Sequence, residues 1–89
     1  GEKPRVLDVR SKAEFDAGHV PGAVHVPFHE VLFRLGDVPG AGGDEVIVYC
    51  RRGPRAYIAG AALDLGGRPR VAYLTGHWTA WRAAGLRTE

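Results

Sequence analysis

Residues 46–63 constrain the fold more than any other part of the chain. Val46-Ile47-Val48-Tyr49 is a continuous β-branched apolar run, and Ala56-Tyr57-Ile58-Ala59-Gly60-Ala61-Ala62-Leu63 is an Ala-rich run of helical character. A strand that is apolar on both sides belongs in a parallel sheet covered on both faces. Between the two runs stands Cys50-Arg51-Arg52-Gly53-Pro54-Arg55, a short loop opening onto a helix N-terminus. Helix N-termini carry unpaired N–H groups and partial positive charge, so they stabilise anions. Three guanidinium groups add to that field beside the chain's only thiol. The setting favours thiolate over thiol.

The rest of the chain repeats the alternation. Residues 5–9 read as a buried strand bounded by Pro4. Ser11-Lys12-Ala13-Glu14 is a capping-box pattern that opens a short helix, which Gly18 closes in the left-handed conformation. Val20-Pro21-Gly22 is a turn, residues 23–26 a short strand stopped by Pro27, and residues 30–35 a helical segment ended by Gly36. Residues 37–44 form a Gly- and Pro-rich connection. The strand at 45–49 leads to a largely covered helix over 56–65, in which Gly60 allows close approach to the sheet. Residues 71–74 are the next strand, Thr75-Gly76 a turn, and 77–84 a last helix with Trp78 and Trp81 on one face as core aromatics. Ligands bind such sheets beyond the carboxyl ends of the strands, where Cys50 lies.

The size suits one domain over residues 1–89, and 45% apolar with 25% charged residues is ordinary globular composition. A net charge of +2 is too small an excess to suggest nucleic acid. No apolar run approaches the ~20 residues that span a bilayer. One cysteine excludes an internal disulfide and a multi-thiolate zinc site, and it fits a reducing compartment such as the cytoplasm. The abrupt start suggests missing upstream sequence; a removed leader would make the periplasm the alternative. His25 and His29 are four apart, but Pro27 between them prevents a shared helical face, so no metal or cofactor is expected.

The pieces Leu7-Asp8-Val9-Arg10, Glu14-Phe15, Gly18-His19-Val20-Pro21-Gly22-Ala23-Val24-His25-Val26-Pro27, Val48 to Arg55, Tyr73-Leu74-Thr75-Gly76 and Trp81 to Leu86 occur in a telling order and spacing. Together they make the chain resemble a single-domain rhodanese (thiosulfate sulfurtransferase-like) module over nearly its whole length. The resemblance implies an α/β three-layer fold: a mainly parallel sheet with helices on both faces, here lacking part of the N-terminal strand and helix. It also implies a six-residue active-site loop beginning at Cys50. That cysteine would take a sulfane sulfur from thiosulfate or a persulfide and pass it to cyanide or a thiol, thioredoxin and glutathione among the candidates.

Physical chemistry assigns roles within that loop. Arg51 and Arg52 offset the charge of a dianionic donor, and planar guanidinium matches a multi-oxygen anion. Gly53 allows the backbone to curl so that N–H groups point inward. Pro54 either removes one donor or pre-forms the helix entry. Arg55 sits unfavourably at a positive helix end, which calls for a carboxylate partner, with Asp8 as candidate, or for an anionic ligand. Arg10 either approaches the pocket or pairs with Glu14. The family often has Gly-Gly after its fourth strand, where this chain has Gly76-His77. Two other readings compete: a non-catalytic binding or regulatory module of a larger protein, and a cysteine phosphatase. The second is disfavoured because only Arg51 to Pro54 separate the thiol from Arg55, one residue fewer than such phosphatases use.

Overall fold

A computed structural model of the protein describes residues 5–40 and 43–89. Pro4 and the middle of the Gly- and Pro-rich connection, residues 41 and 42, lie outside them. The elements run β1 (Val6–Asp8), α1 (Lys12–Ala17), β2 (Val24–His25), two 3-10 helices (Phe28–Phe33 and Leu35–Asp37), β3 (Val46–Tyr49), α2 (Pro54–Leu65), β4 (Val71–Tyr73) and α3 (His77–Ala83). All strand pairs are parallel, in the order β2-β1-β3-β4, with Asp8 opposite Tyr49 and Val46 opposite Val71. The chain leaves β1 towards β2 and returns on β1's other side as β3. Strand order therefore reverses between β1 and β3, the position where open α/β sheets hold ligands.

Side chains alternate along each strand, so one strand supplies two layers. Leu7, Val46, Val48 and Cys50 face the main core with Ala56, Ala59 and Leu63 of α2 and Val31 of the first 3-10 helix. Val6 and Tyr49 face the other way, onto Trp78 of α3, with Val20 alongside and Ile47, Leu74 and Trp81 at the margin. Ser11 caps α1 as its spacing indicates: its Oγ accepts from Glu14 N at 3.2 Å, and Glu14 Oε1 accepts from Ser11 N at 3.2 Å. Gly18 does end that helix, but at φ 152° and ψ 140° rather than in the left-handed helical region.

Two expected segments differ. Residues 30–35 are not α-helical; the turn starts at Phe28, directly after Pro27, and is a 3-10 helix. Its three-residue period stacks Phe28 and Val31 on one side, both against the core, which suits a narrow strip above the sheet. Helix α2 is covered along one side only. Ala56, Ala59, Gly60 and Leu63 are buried, whereas Tyr57, Ile58 and Leu65 are 57%, 55% and 80% exposed. Gly60 does mark a close approach, to a side chain: a Cβ there would lie 2.1 Å from the Tyr73 hydroxyl.

Candidate active site

Strand β3 carries Cys50 to the switch point, and Gly53 turns the chain into α2. Gly53 takes φ 133°, open to glycine and strained for other residues. Its N–H donates to Cys50 Sγ at 2.9 Å. Pro54 follows as the first helical residue, where a missing N–H costs no intrahelical bond. Cys50 itself has no solvent exposure, yet it floors an open concavity of about 300 Å³ walled by Arg51, Arg52, Pro54 and Arg55. The sulfur thus sits beneath the curled loop at the inner end of a cationic depression. Arg51 and Arg52 are exposed, and among the described residues their side chains make no hydrogen bond or ion pair.

Arg55 is engaged, and its partner is Glu14 rather than Asp8. Arg55 Nη1 and Nη2 donate to Glu14 Oε1 and Oε2 at 2.7 and 3.1 Å, a two-pronged pair joining α2 to α1. Hydrogen bonds from Arg55 hold the Glu14 carboxyl down to about 2, despite partial burial that opposes this. The same pair raises the Arg55 pKa. Glu14 also offsets the unfavourable placement of a cation at the start of a helix.

Asp8 and Arg10 pair with each other beneath the site. Asp8 is fully buried and accepts from Arg10 N (2.9 Å), Arg10 Nε (3.0 Å to each oxygen), Arg10 Nη2 (2.7 Å) and the Tyr49 hydroxyl (2.6 Å). Arg10 Nη2 also donates to Gly18 O at 2.6 Å, and its guanidinium lies 4.4 Å from the Trp78 ring centroid. Burial works against the Arg10 charge, but the hydrogen bonds and charge of Asp8 outweigh it and the pKa is raised. Tyr49 completes the network by accepting from Val20 N at 3.1 Å, and burial pushes its phenol pKa up. Asp8, Arg10 and Tyr49 therefore brace the carboxyl ends of β1 and β3.

His77, which stands where the family often has glycine, lies against the Cys50 loop. It is buried at φ 57°, and its Nδ1 accepts from the Cys50 amide at 3.3 Å. The next two residues bind the loop as well: Trp78 N donates to Cys50 O at 3.0 Å and Thr79 N to Arg51 O at 3.1 Å. Tyr57 and Tyr73 enclose the His77 ring at centroid distances of 5.9 and 6.4 Å, and burial lowers its pKa.

A family model for the rhodanese-like domain matches residues 1–84. The chain belongs to that family. This rhodanese-like domain is 37% identical over 81 residues to a protein named sulfurtransferase from Allochromatium vinosum, covering 91% of this chain and 74% of that one. It is 36% identical over 87 residues to an HTH-type transcriptional regulator of Mycobacterium tuberculosis, covering 94% of this chain but only 37% of the regulator. Among solved structures, a rhodanese-like domain from Anabaena sp. superposes with a TM-score of 0.85 at 28% identity, over 98% of this chain and 99% of that one. The parallel α/β architecture anticipated from the sequence is thus the architecture of the family. Among the described residues, no helix is long and apolar enough to cross a membrane.

Proposed function

We propose that this rhodanese-like domain is a sulfurtransferase whose Cys50 carries the sulfur as a persulfide. The observation that carries the reading is the Cys50 sulfur hydrogen-bonded to Gly53 N–H under a depression walled by arginines. In the first half-reaction the Cys50 thiolate attacks the outer sulfur of thiosulfate. The S–S bond breaks, sulfite leaves with the electron pair, and Cys50 holds the transferred sulfur. Arg51 and Arg52 offset the charge gathered when a dianion meets a thiolate. Arg55 adds field from the wall while held by Glu14. In the second half-reaction cyanide or a thiol removes the sulfur and returns Cys50 to thiolate.

Intact-mass measurement after incubation with thiosulfate tests this directly. The native domain gains one sulfur atom, and Cys50→Ser gains none. An unchanged native mass with thiosulfate and with a persulfide donor rejects the reading.

A second reading is a non-catalytic module of a larger protein. It draws support from the complete burial of Cys50 and from the match to a minor part of a transcriptional regulator. Turnover of thiosulfate and cyanide by the isolated domain, lost in Cys50→Ser, would exclude it.

A further inference from the structure

A second concavity, of about 350 Å³, adjoins the Cys50 depression and takes no part in the chemistry above. Arg51 borders both, and Glu14 on its wall is ion-paired to Arg55 on the wall of the first. Arg51 and the Glu14–Arg55 pair are therefore the partition between two compartments. The second volume lies at the lower end of the ~300–1,000 Å³ typical of small-molecule sites.

Its lining is chemically specific. Arg82 stands in the last turn of α3, exposed, with its guanidinium carbon 5.8 Å from the Trp78 ring centroid. Among the described residues neither Arg51 nor Arg82 has a side-chain hydrogen bond or ion pair. The charges close by are already committed, Glu14 to Arg55 and Arg10 to Asp8, so the two free guanidiniums are not neutralised from within. Trp78, Ala17 and Gly18 supply a small apolar patch beside the buried Arg10, which also lines the compartment with its guanidinium 4.4 Å from the Trp78 ring centroid. Unpaired cations beside an apolar patch suit an organic anion, whose carboxylate pairs with guanidinium while its carbon skeleton lies against that patch.

We propose that this compartment is an acceptor subsite, binding a low-molecular-weight thiol that carries a carboxylate. The proposal rests on the Cys50 persulfide reading for its chemistry and on the second compartment for its site. Arg51 and Arg82 hold the carboxylate while the thiol reaches across the partition to the loaded cysteine. The acceptor sulfur bonds to the outer sulfur of the persulfide, the bond to Cys50 Sγ breaks, and Cys50 keeps the electron pair as thiolate. The thiol's proton ends on the product persulfide, so atoms and charge balance without an external oxidant or reductant.

The test compares acceptors on pre-loaded native domain and on Arg82→Glu, with 3-mercaptopropionate as acidic thiol and 2-mercaptoethanol as neutral one. Reversing an exposed charge changes a pair interaction by roughly 1 kcal/mol, so the acidic-over-neutral ratio of kcat/KM falls about fivefold to tenfold, chiefly through KM. Arg70→Glu, at the opposite end of the strands, changes net charge equally and leaves the ratio as it was. A binding arm needs no sulfur transfer: S-methylglutathione shifts the Trp78 indole NMR resonance in native domain and not in Arg82→Glu. An unaltered ratio in Arg82→Glu, or no Trp78 shift in the native domain, overturns the subsite. Failure to load sulfur at all would instead overturn the Cys50 reading and leave the Trp78 measurement to decide the subsite.

Discussion

His77 Nδ1 accepts the amide proton of Cys50 at 3.3 Å, so the backbone at Cys50 is anchored by a side chain from the following strand-to-helix turn. A nitrogen that accepts here carries no proton, which fixes the neutral ring with its hydrogen on Nε2. Burial lowers the His77 pKa, in agreement with that state. Protonation would destroy the acceptor and place a charge among Tyr57, Tyr73 and Gly53. The folded pKa lies below the unfolded one, so the unfolded chain takes up the proton first. Stability is then full above about pH 6.5 and declines as pH falls below it. Urea midpoints at pH 7.5 and 5.5 should fall for the native domain more than for His77→Asn, a residue that tolerates positive φ. Equal slopes for the two would refute the anchoring role.

Glu14 titrates in a separate, more acidic window. Its folded pKa of about 2 lies below the ordinary value of 4.5, so its stabilisation is present above about pH 4.5 and lost as pH falls towards 2. Glu14→Gln breaks the pair with Arg55 and costs about 1 kcal/mol at neutral pH. The gap between native and variant should close on acidification. A gap that persists unchanged at pH 2.5 would show that packing, and not charge, holds α1 to α2.

Much of this architecture is legible from residue patterns, because the determinants are local. The β-branched run before Cys50, the Ser11–Glu14 box and the glycines at 18 and 66 each act within a few residues, and the structure keeps them, whereas Gly36, expected to end a helix, lies inside the second 3-10 helix. Partners that meet across the sheet are less legible. Glu14 and Arg55 are 41 residues apart, and nothing local distinguishes that pairing from Arg55 with Asp8. Arg10 turns inward because Asp8, two residues before it, points to the Trp78 side of the sheet, where its buried carboxylate takes the guanidinium together with the Tyr49 hydroxyl. The exposed side of α2 is illegible for a different reason. Tyr57, Ile58 and Leu65 look like core residues in composition, yet they stand 57%, 55% and 80% exposed among the described residues. His77 was visible only as a residue standing where glycine is commonplace, and its direction depends on the turn geometry at Gly76.

The Asp8–Arg10 pair supports the Cys50 depression without lining it, although Arg10 lines the adjoining compartment. Removing one member of a buried, hydrogen-bonded pair leaves the other charge uncompensated, at a cost of about 3–5 kcal/mol. Arg10→Met should therefore lower the urea midpoint far more than Arg51→Met, whose side chain is exposed and unpaired among the described residues. Comparable midpoints for the two variants would mean that the buried network does not brace β1 and β3.

Gly53 combines a conformational demand with a hydrogen bond to the Cys50 sulfur, so its replacement separates loop shape from loop charge. At φ 133° an alanine is strained, by about 1–3 kcal/mol for such backbone outliers. The added Cβ would also lie 3.1 Å from Tyr57 Cε2 and 3.2 Å from His77 Nε2, so either the rings give by a few tenths of an ångström or the loop moves away from them. That movement withdraws the N–H now 2.9 Å from Cys50 Sγ. Loss of one donor to a charged sulfur is worth about 1.5–3 kcal/mol, which corresponds to a drop of roughly tenfold to a hundredfold in persulfide loading rate. All three arginines remain in Gly53→Ala, so slow loading by a variant that is still folded would assign the effect to backbone shape. Loading at the native rate would show that the Gly53 N–H is not needed for the reaction.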